Sequence, residues 1–107
     1  MTSLSSPKKI SLENVLQVVE KNSESFRRFD LKSLAIFGSV ARDEATENSD
    51  VDILIEFASA AIFDNYMELK FFLEDILGKE VDLVTKKSLK AAISQQVLDE
   101  AIYVSLH

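Results

Sequence analysis

The run Phe37-Gly38-Ser39-Val40-Ala41-Arg42, followed by Ser49-Asp50-Val51-Asp52-Ile53, constrains this chain more than any other part of it. The first run reads as the end of a strand, a tight turn and a helix start. The second reads as a loop leading into a new strand. The turn presents backbone N–H groups and the Ser39 hydroxyl. Side chains alternate across a strand, so Asp50 and Asp52 point to one side, roughly 6.5–7 Å apart along the chain, while Val51, Ile53 and Ile55 point into a core. Like charges so placed repel, and a divalent cation beside them is the usual remedy. A phosphate-binding turn next to a carboxylate pair is the equipment needed to hold a metal–nucleoside triphosphate complex.

The flanking sequence supplies a frame for these residues. Residues 1–9 are polar and form a loose lead-in. Ser11 caps a first helix in which Leu12, Val15, Leu16 and Val19 recur at helical spacing and which ends near Asn22. Phe26 and Phe29 are core anchors in an irregular or helical link, with Arg27 and Arg28 between them as a solvated pair. Leu34 to Phe37 is a short buried strand, Ser39 to Arg42 a short helix, residues 43–49 a polar loop and 51–57 the next strand. Ser59 to Phe63 is ambiguous. Asp64 or Asn65 caps a helix from about Tyr66 to Leu77, with Leu69, Phe72, Leu73 and Ile76 as its apolar stripe and Gly78 as its left-handed terminator. Glu80 to Val84 is a third strand. Ser88 caps a last helix whose Leu89, Ala92, Ile93 and Val97 face inward. Periodicity leaves Ala101 to Val104 open between a strand and a helix end. The whole chain, 1–107, reads as a single domain of α+β class: a small mixed sheet with helices mainly on one face and an open, carboxylate-bearing face on the other.

An isolated Asp-x-Asp is by default a solvated strand edge. Aspartate suits strands poorly, however, and here it occurs twice on one face, with Asp82 repeating the anomaly on the third strand. Three such positions favour function. Gly38 has an ordinary reading as a turn glycine beside the functional one, that a missing side chain lets backbone approach phosphate. Ser39 serves equally as a helix cap. Arg42, on the same helical face as Ser39, either reaches phosphate or pins the loop through Asp43 or Glu44. Tyr66 and Tyr103 read as amphipathic core residues.

Composition removes other chemistries. The sequence has no cysteine, and its only histidine is the last residue, His107. Thiol catalysis, cysteine or histidine zinc sites and serine–histidine triads are therefore excluded, and a cytoplasmic setting is expected. No apolar run exceeds four residues, too short to cross a membrane, and no signal peptide is expected. The net charge of −6 disfavours a long nucleic-acid substrate and suits a basic protein partner.

Gly38-Ser39, Ala41-Arg42, Ser49-Asp50-Val51-Asp52 and the later Val81-Asp82-Leu83-Val84 together resemble the signature of the nucleotidyltransferase superfamily, from about Leu34 to Val84. The short length is most similar to the minimal nucleotidyltransferases, antitoxins that act beside HEPN-domain toxins. The resemblance implies that Asp50 and Asp52 bind two Mg²⁺ ions, that Asp82 completes the second site and accepts a hydroxyl proton, and that Gly38, Ser39 and Arg42 hold the phosphates of ATP. It further implies transfer of AMP to a hydroxyl, a tyrosine, of the HEPN toxin, with which the protein assembles. Relatives carry glycine after Ala-Arg where this chain has Asp43, a residue that tolerates left-handed backbone. Two other functions fit less well: a binding-only antitoxin with degenerate activity, and nucleotidylation of a small-molecule acceptor, for which 107 residues leave little enclosing surface.

Overall fold

The computed structural model describes residues 10–46, 48–58, 63–89 and 91–105, and for residues 63, 64 and 91–94 it describes the backbone alone. The lead-in expected over residues 1–9 lies outside them. Helix α1, Leu12–Lys21, opens as the sequence indicates: the Ser11 hydroxyl accepts the Asn14 N–H at 3.1 Å. Its inward residues Val15 and Val19 are fully buried. The link that follows is a 3₁₀ helix, Ser23–Phe29, which buries Phe26 and Phe29 and stops at Asp30 in a left-handed conformation, φ 56°.

Strand β1, Leu31–Phe37, is longer than the apolar run predicts. Its extra residues Leu31 and Ser33 pair with Phe57 and Glu56 of β2, Val51–Phe57, so ladder bonding extends it beyond the hydrophobic signal. A short helix α2, Gly38–Ala41, joins the two antiparallel strands. Helix α3 runs Phe63–Leu77 and strand β3, Val81–Thr85, returns parallel to β2. Helix α3 thus starts before its expected cap, and Asp64 and Asn65 fall in its first turn. The ambiguous stretch 59–62 lies outside the described residues. Gly78 ends α3 as expected, with φ 68° and its N–H donating to the Glu74 carbonyl at 2.8 Å.

Ser88 does not cap the last helix. It closes a 3₁₀ turn, Lys86–Ser88, by donating to the Thr85 carbonyl at 2.9 Å, and helix α4 spans Ala91–Glu100. Of the residues expected to face inward there, Ala92 and Ile93 have no described side chains and Val97 is half-buried. The tail is a strand: β4, Ile102–Tyr103, pairs antiparallel with β1, and the Val104 N–H donates to the Leu34 carbonyl at 2.9 Å. The sheet order is β3-β2-β1-β4, a mixed sheet in an α+β fold.

One sheet face, carrying Leu34, Ile36, Val51, Ile53, Ile55, Val81 and Leu83, packs into a single cluster with α1, the 3₁₀ link and Leu69 and Leu73 of α3. Phe26, Phe29 and Phe72 form a ring triangle with centroids 5.2–6.5 Å apart. Arg28 is more than solvated surface, since its guanidinium lies 4.6 Å from the Phe29 ring centre and 5.0 Å from that of Phe72. The opposite face is set by register. Phe37, Asp52 and Asp82 lie in one row, and Tyr103, Ala35, Leu54 and Val84 in the next. Ala35 and Leu54 are fully buried there, so that face is not open throughout. Tyr66 is half-buried with its hydroxyl donating to the Leu83 carbonyl, whereas Tyr103 is 48% exposed and not a core residue. It sits on the short edge strand, with the Lys86 ammonium 5.1 Å from its ring centre. No helix among the described residues is long and apolar enough to cross a membrane.

Core placement gives a direct stability contrast. Phe29, 1% exposed, should cost about 3–5 kcal/mol when replaced by alanine, whereas Phe71, 58% exposed, should cost less than about 0.5 kcal/mol. Urea denaturation of the two variants measures both.

Candidate active site

The backbone around Gly38 is shaped by short hydrogen bonds. Strand β1 ends at Phe37 and the chain turns into α2 through Gly38, φ 72°. The Arg42 N–H donates to the Gly38 carbonyl at 3.1 Å and the Glu44 N–H to the Ser39 carbonyl at 2.8 Å. Asp43 closes this turn in the left-handed conformation, φ 61°, so aspartate fills a position that glycine would fill more easily. Ala45 is buried and anchors the loop. Thr46 and Ser49 then knit it together. The Thr46 N–H donates to the Ser49 hydroxyl at 2.9 Å, and the Ser49 N–H to the Thr46 carbonyl at 3.1 Å. Asp50 follows directly, and the Val51 N–H binds the Glu80 carbonyl at 3.0 Å, fastening the start of β2 to the start of β3.

Gly38 has a nearer reason to be glycine than approach to phosphate. A Cβ at this position would lie 2.0 Å from Oδ2 of Asp52 and 3.2 Å from its Cβ, so the Asp52 carboxyl occupies the space a side chain would need. The positive φ adds to the requirement. Ser39 lies inside α2 and does not cap it; the N-cap position belongs to Phe37, with no side-chain cap bond. The hydroxyl is therefore not committed to capping.

Asp52 and Asp82 are direct partners in the parallel β2–β3 ladder. Asp52 is half-buried, and its pKa is pushed up to about 6. Burial is the largest cause, followed by the negative charges of Asp82 and Asp50 and by a hydrogen bond that a protonated Asp52 can donate to Asp82; Arg42 opposes them. Asp50, exposed and one residue before β2, acts on Asp52 through its charge from the rim. Among the described residues no three acidic, histidine or cysteine side chains are gathered closely enough to enclose a metal ion. Asp52 and Asp82 are thus brought together, with Asp50 beside them.

Arg42 is exposed and paired. Its Nε donates to Glu44 Oε1 and its Nη1 to Glu100 Oε1, each at 3.0 Å. Of the expected loop partners, Glu44 is engaged and Asp43 is not. These bonds raise the guanidinium pKa, Glu44 contributing most. Glu100, 58 residues further on, was not legible in the sequence, because nothing local marks a contact made by a helix end.

The strain in the carboxylate row yields a pH signature. Asp52 has an ordinary value of 3.8, raised to about 6 in the folded protein. Folding therefore favours its protonated form, and the associated stability is full below about pH 4 and lost as pH rises through about 6. Without divalent cations, Asp52→Asn should melt higher than wild type at pH 7, by a few degrees, with the gap closing toward pH 4. Thermal melts across that range measure it. Gly38→Ala should displace the Asp52 carboxyl and abolish this pH dependence.

Comparison with known proteins places the chain in a family. The model of the nucleotidyltransferase domain family matches residues 14–104. The protein adenylyltransferase MntA of Thermococcus cleftensis is 41% identical over 96 residues, covering 89% of this chain and 97% of that protein. A solved structure described as a candidate minimal nucleotidyltransferase superposes with a TM-score of 0.74 at 37% identity, covering 87% of this chain and 95% of the other. A chain from the complex of a tri-AMPylated HEPN toxin with MNT antitoxin of Shewanella oneidensis shares the fold, with a TM-score of 0.61 at 24% identity over 86% of this chain and 73% of the other. The Gly-Ser turn, the Asp-x-Asp strand and the partnered strand aspartate thus sit in a fold and a sequence of one lineage, and the chain belongs to the nucleotidyltransferase family as one of its minimal enzymes.

Proposed function

We propose that this protein transfers AMP from ATP to a tyrosine hydroxyl of a HEPN-domain toxin and so acts as its antitoxin. The observation that carries the reading is the half-buried Asp52, held against Gly38 and in register with Asp82, with its pKa raised to about 6 by burial and by its acidic neighbours. A carboxyl group in that condition readily exchanges its proton, released to solvent, for a cation. Asp52 and Asp82, partners across the ladder, would form the core of a divalent-metal donor set, and Asp50 would have to close in from the rim to complete it for two Mg²⁺ ions. Such ions, when bound, stabilise negative charge on phosphate oxygens and make an acceptor hydroxyl more acidic.

The protein's own residues take the remaining roles. The Gly38–Ser39 turn and the Ser39 hydroxyl hold the β- and γ-phosphates. Asp82 accepts the proton of the acceptor hydroxyl. The acceptor oxygen then bonds to the α-phosphorus, the bond to the bridging oxygen breaks, and pyrophosphate leaves with the electron pair. The likeness to the Thermococcus cleftensis protein adenylyltransferase supports AMP transfer to protein. The fold shared with the chain from the HEPN–MNT complex supports the choice of partner. An acidic chain of net charge −6 suits a basic protein surface as the missing wall of the site.

Incubation with ATP, Mg²⁺ and a HEPN-domain partner protein should add adenylate mass to that partner, read by intact-protein mass spectrometry. Asp82→Asn should prevent the addition. A partner left unmodified yet neutralised by stoichiometric complex formation would establish a binding-only antitoxin instead. Modification of an aminoglycoside-like small molecule, with the protein untouched, would establish the other transferase chemistry. Gly38→Val should weaken ATP binding more than Ser39→Ala, because the valine displaces Asp52 whereas the alanine leaves the backbone amides in place.

A further inference from the structure

Arg42 stands where the Gly-Ser helix hands over to the loop that delivers Asp50, and its charge reaches Asp52. Its bond to Glu44 joins neighbours in one loop. With side chains 45% and 65% exposed, that pair alone would be ordinary surface chemistry. Glu100 differs. It is the last residue of α4, and its side chain is only 23% exposed. The chain then passes directly into β4, which pairs with β1 at Ala35 and Ile36, just before Phe37 and Gly38. The connections form a closed path: β1 leads into the Gly38 turn, α2 into Arg42, Arg42 across to Glu100, and β4 back onto β1. Both ends of the ion pair are therefore fixed to the strand that aims the turn.

We propose that Glu100 is a positioning residue for nucleotidyl transfer, holding the Arg42 guanidinium, together with Glu44, in the orientation that binds the triphosphate at the Gly38–Ser39 turn. The inference rests on the nucleotide-transfer reading above. A guanidinium carries five N–H donors in a rigid planar fork. Two of them, on Nε and Nη1, are taken by Glu44 and Glu100. Three remain for phosphate oxygens, and the two glutamates set the plane of the fork without using them. An exposed arginine otherwise loses rotamer freedom on gripping a phosphate; one already clamped loses less, and the difference enters as affinity. Phosphate binding and acidic pairing at Arg42, which the sequence presents as alternatives, become a single device.

The test compares wild type, Glu100→Ala and Glu100→Gln in steady-state transfer, with ATP-analogue binding measured by calorimetry. Glu100→Ala should raise the KM for ATP about three- to fivefold, the scale of a partly exposed ion pair, and leave kcat little changed. Glu100→Gln keeps an oxygen acceptor for Nη1 and should recover part of the loss. In an Arg42→Ala background, Glu100→Ala should have no further effect on KM. A purely structural pair would shift the melting temperature and leave KM alone. Unchanged KM and analogue affinity in Glu100→Ala, or effects that add to those of Arg42→Ala, would overturn the proposal while the nucleotide reading stands. Failure of wild type itself to bind the ATP analogue would overturn both.

Discussion

The placement of one carboxyl group governs this structure. Asp52 is half-buried in a sheet, against the backbone of Gly38 and beside Asp82, so the strand that carries it and the turn that abuts it must be built to close tolerance. A Cβ at position 38 has no room, and position 38 must also take a positive φ, two independent demands that glycine meets together. Burying a carboxylate among like charges is unfavourable, and the cost is visible in a pKa of about 6. The apolar cluster on the other sheet face supplies the opposing free energy. Each fully buried side chain of the size of Leu34, Ile36, Ile53 or Ile55 contributes about 1.5–3 kcal/mol, enough to hold β1 and β2 in register against that repulsion.

The sheet divides labour between its faces through the pleat. Val51, Ile53 and Ile55 anchor β2 from below, and Asp52 is thereby presented above. The parallel return of β3 through α3 sets Asp82 opposite Asp52, which no hairpin would do without reversing the strand. Glu74 on α3 secures that return: its carboxylate accepts the Val81 N–H at 3.0 Å and the Lys70 ammonium at 2.7 Å, fixing the first residue of β3. At the other edge β4 lies against β1, and the end of α4 just before it brings Glu100 to Arg42.

Much of this was legible in the residues. Ser11 as a cap, Phe26 and Phe29 as anchors, Gly78 as a helix end and the strand nature of 51–57 follow from local chemistry, since each depends on neighbours within a turn or on a period of two. Ser88 and Tyr103 depart from the roles their local sequence suggests, each for its own reason. Ser88 lies three residues before the first residue of α4, outside the N-cap position, and its hydroxyl donates back to the Thr85 carbonyl. Tyr103 lies on an edge strand of two residues, too short to show a period, and edge placement leaves its ring half outside. Asp43 takes the left-handed conformation, φ 61°, that glycine would adopt more easily.

The sequence by itself determined which positions stand out from their surroundings. Glycine at a strand end, aspartates where strands disfavour them, and the lack of cysteine and of any histidine but the last are properties of residue type and spacing, readable without coordinates. Tertiary structure alone decided what those residues do to one another. That Asp82 lies beside Asp52, that Gly38 makes room for a carboxyl, and that Arg42 is clamped by Glu100 all depend on strand order and register. Contacts between residues tens of positions apart arise only when the whole apolar face is buried at once, and no local signal encodes them.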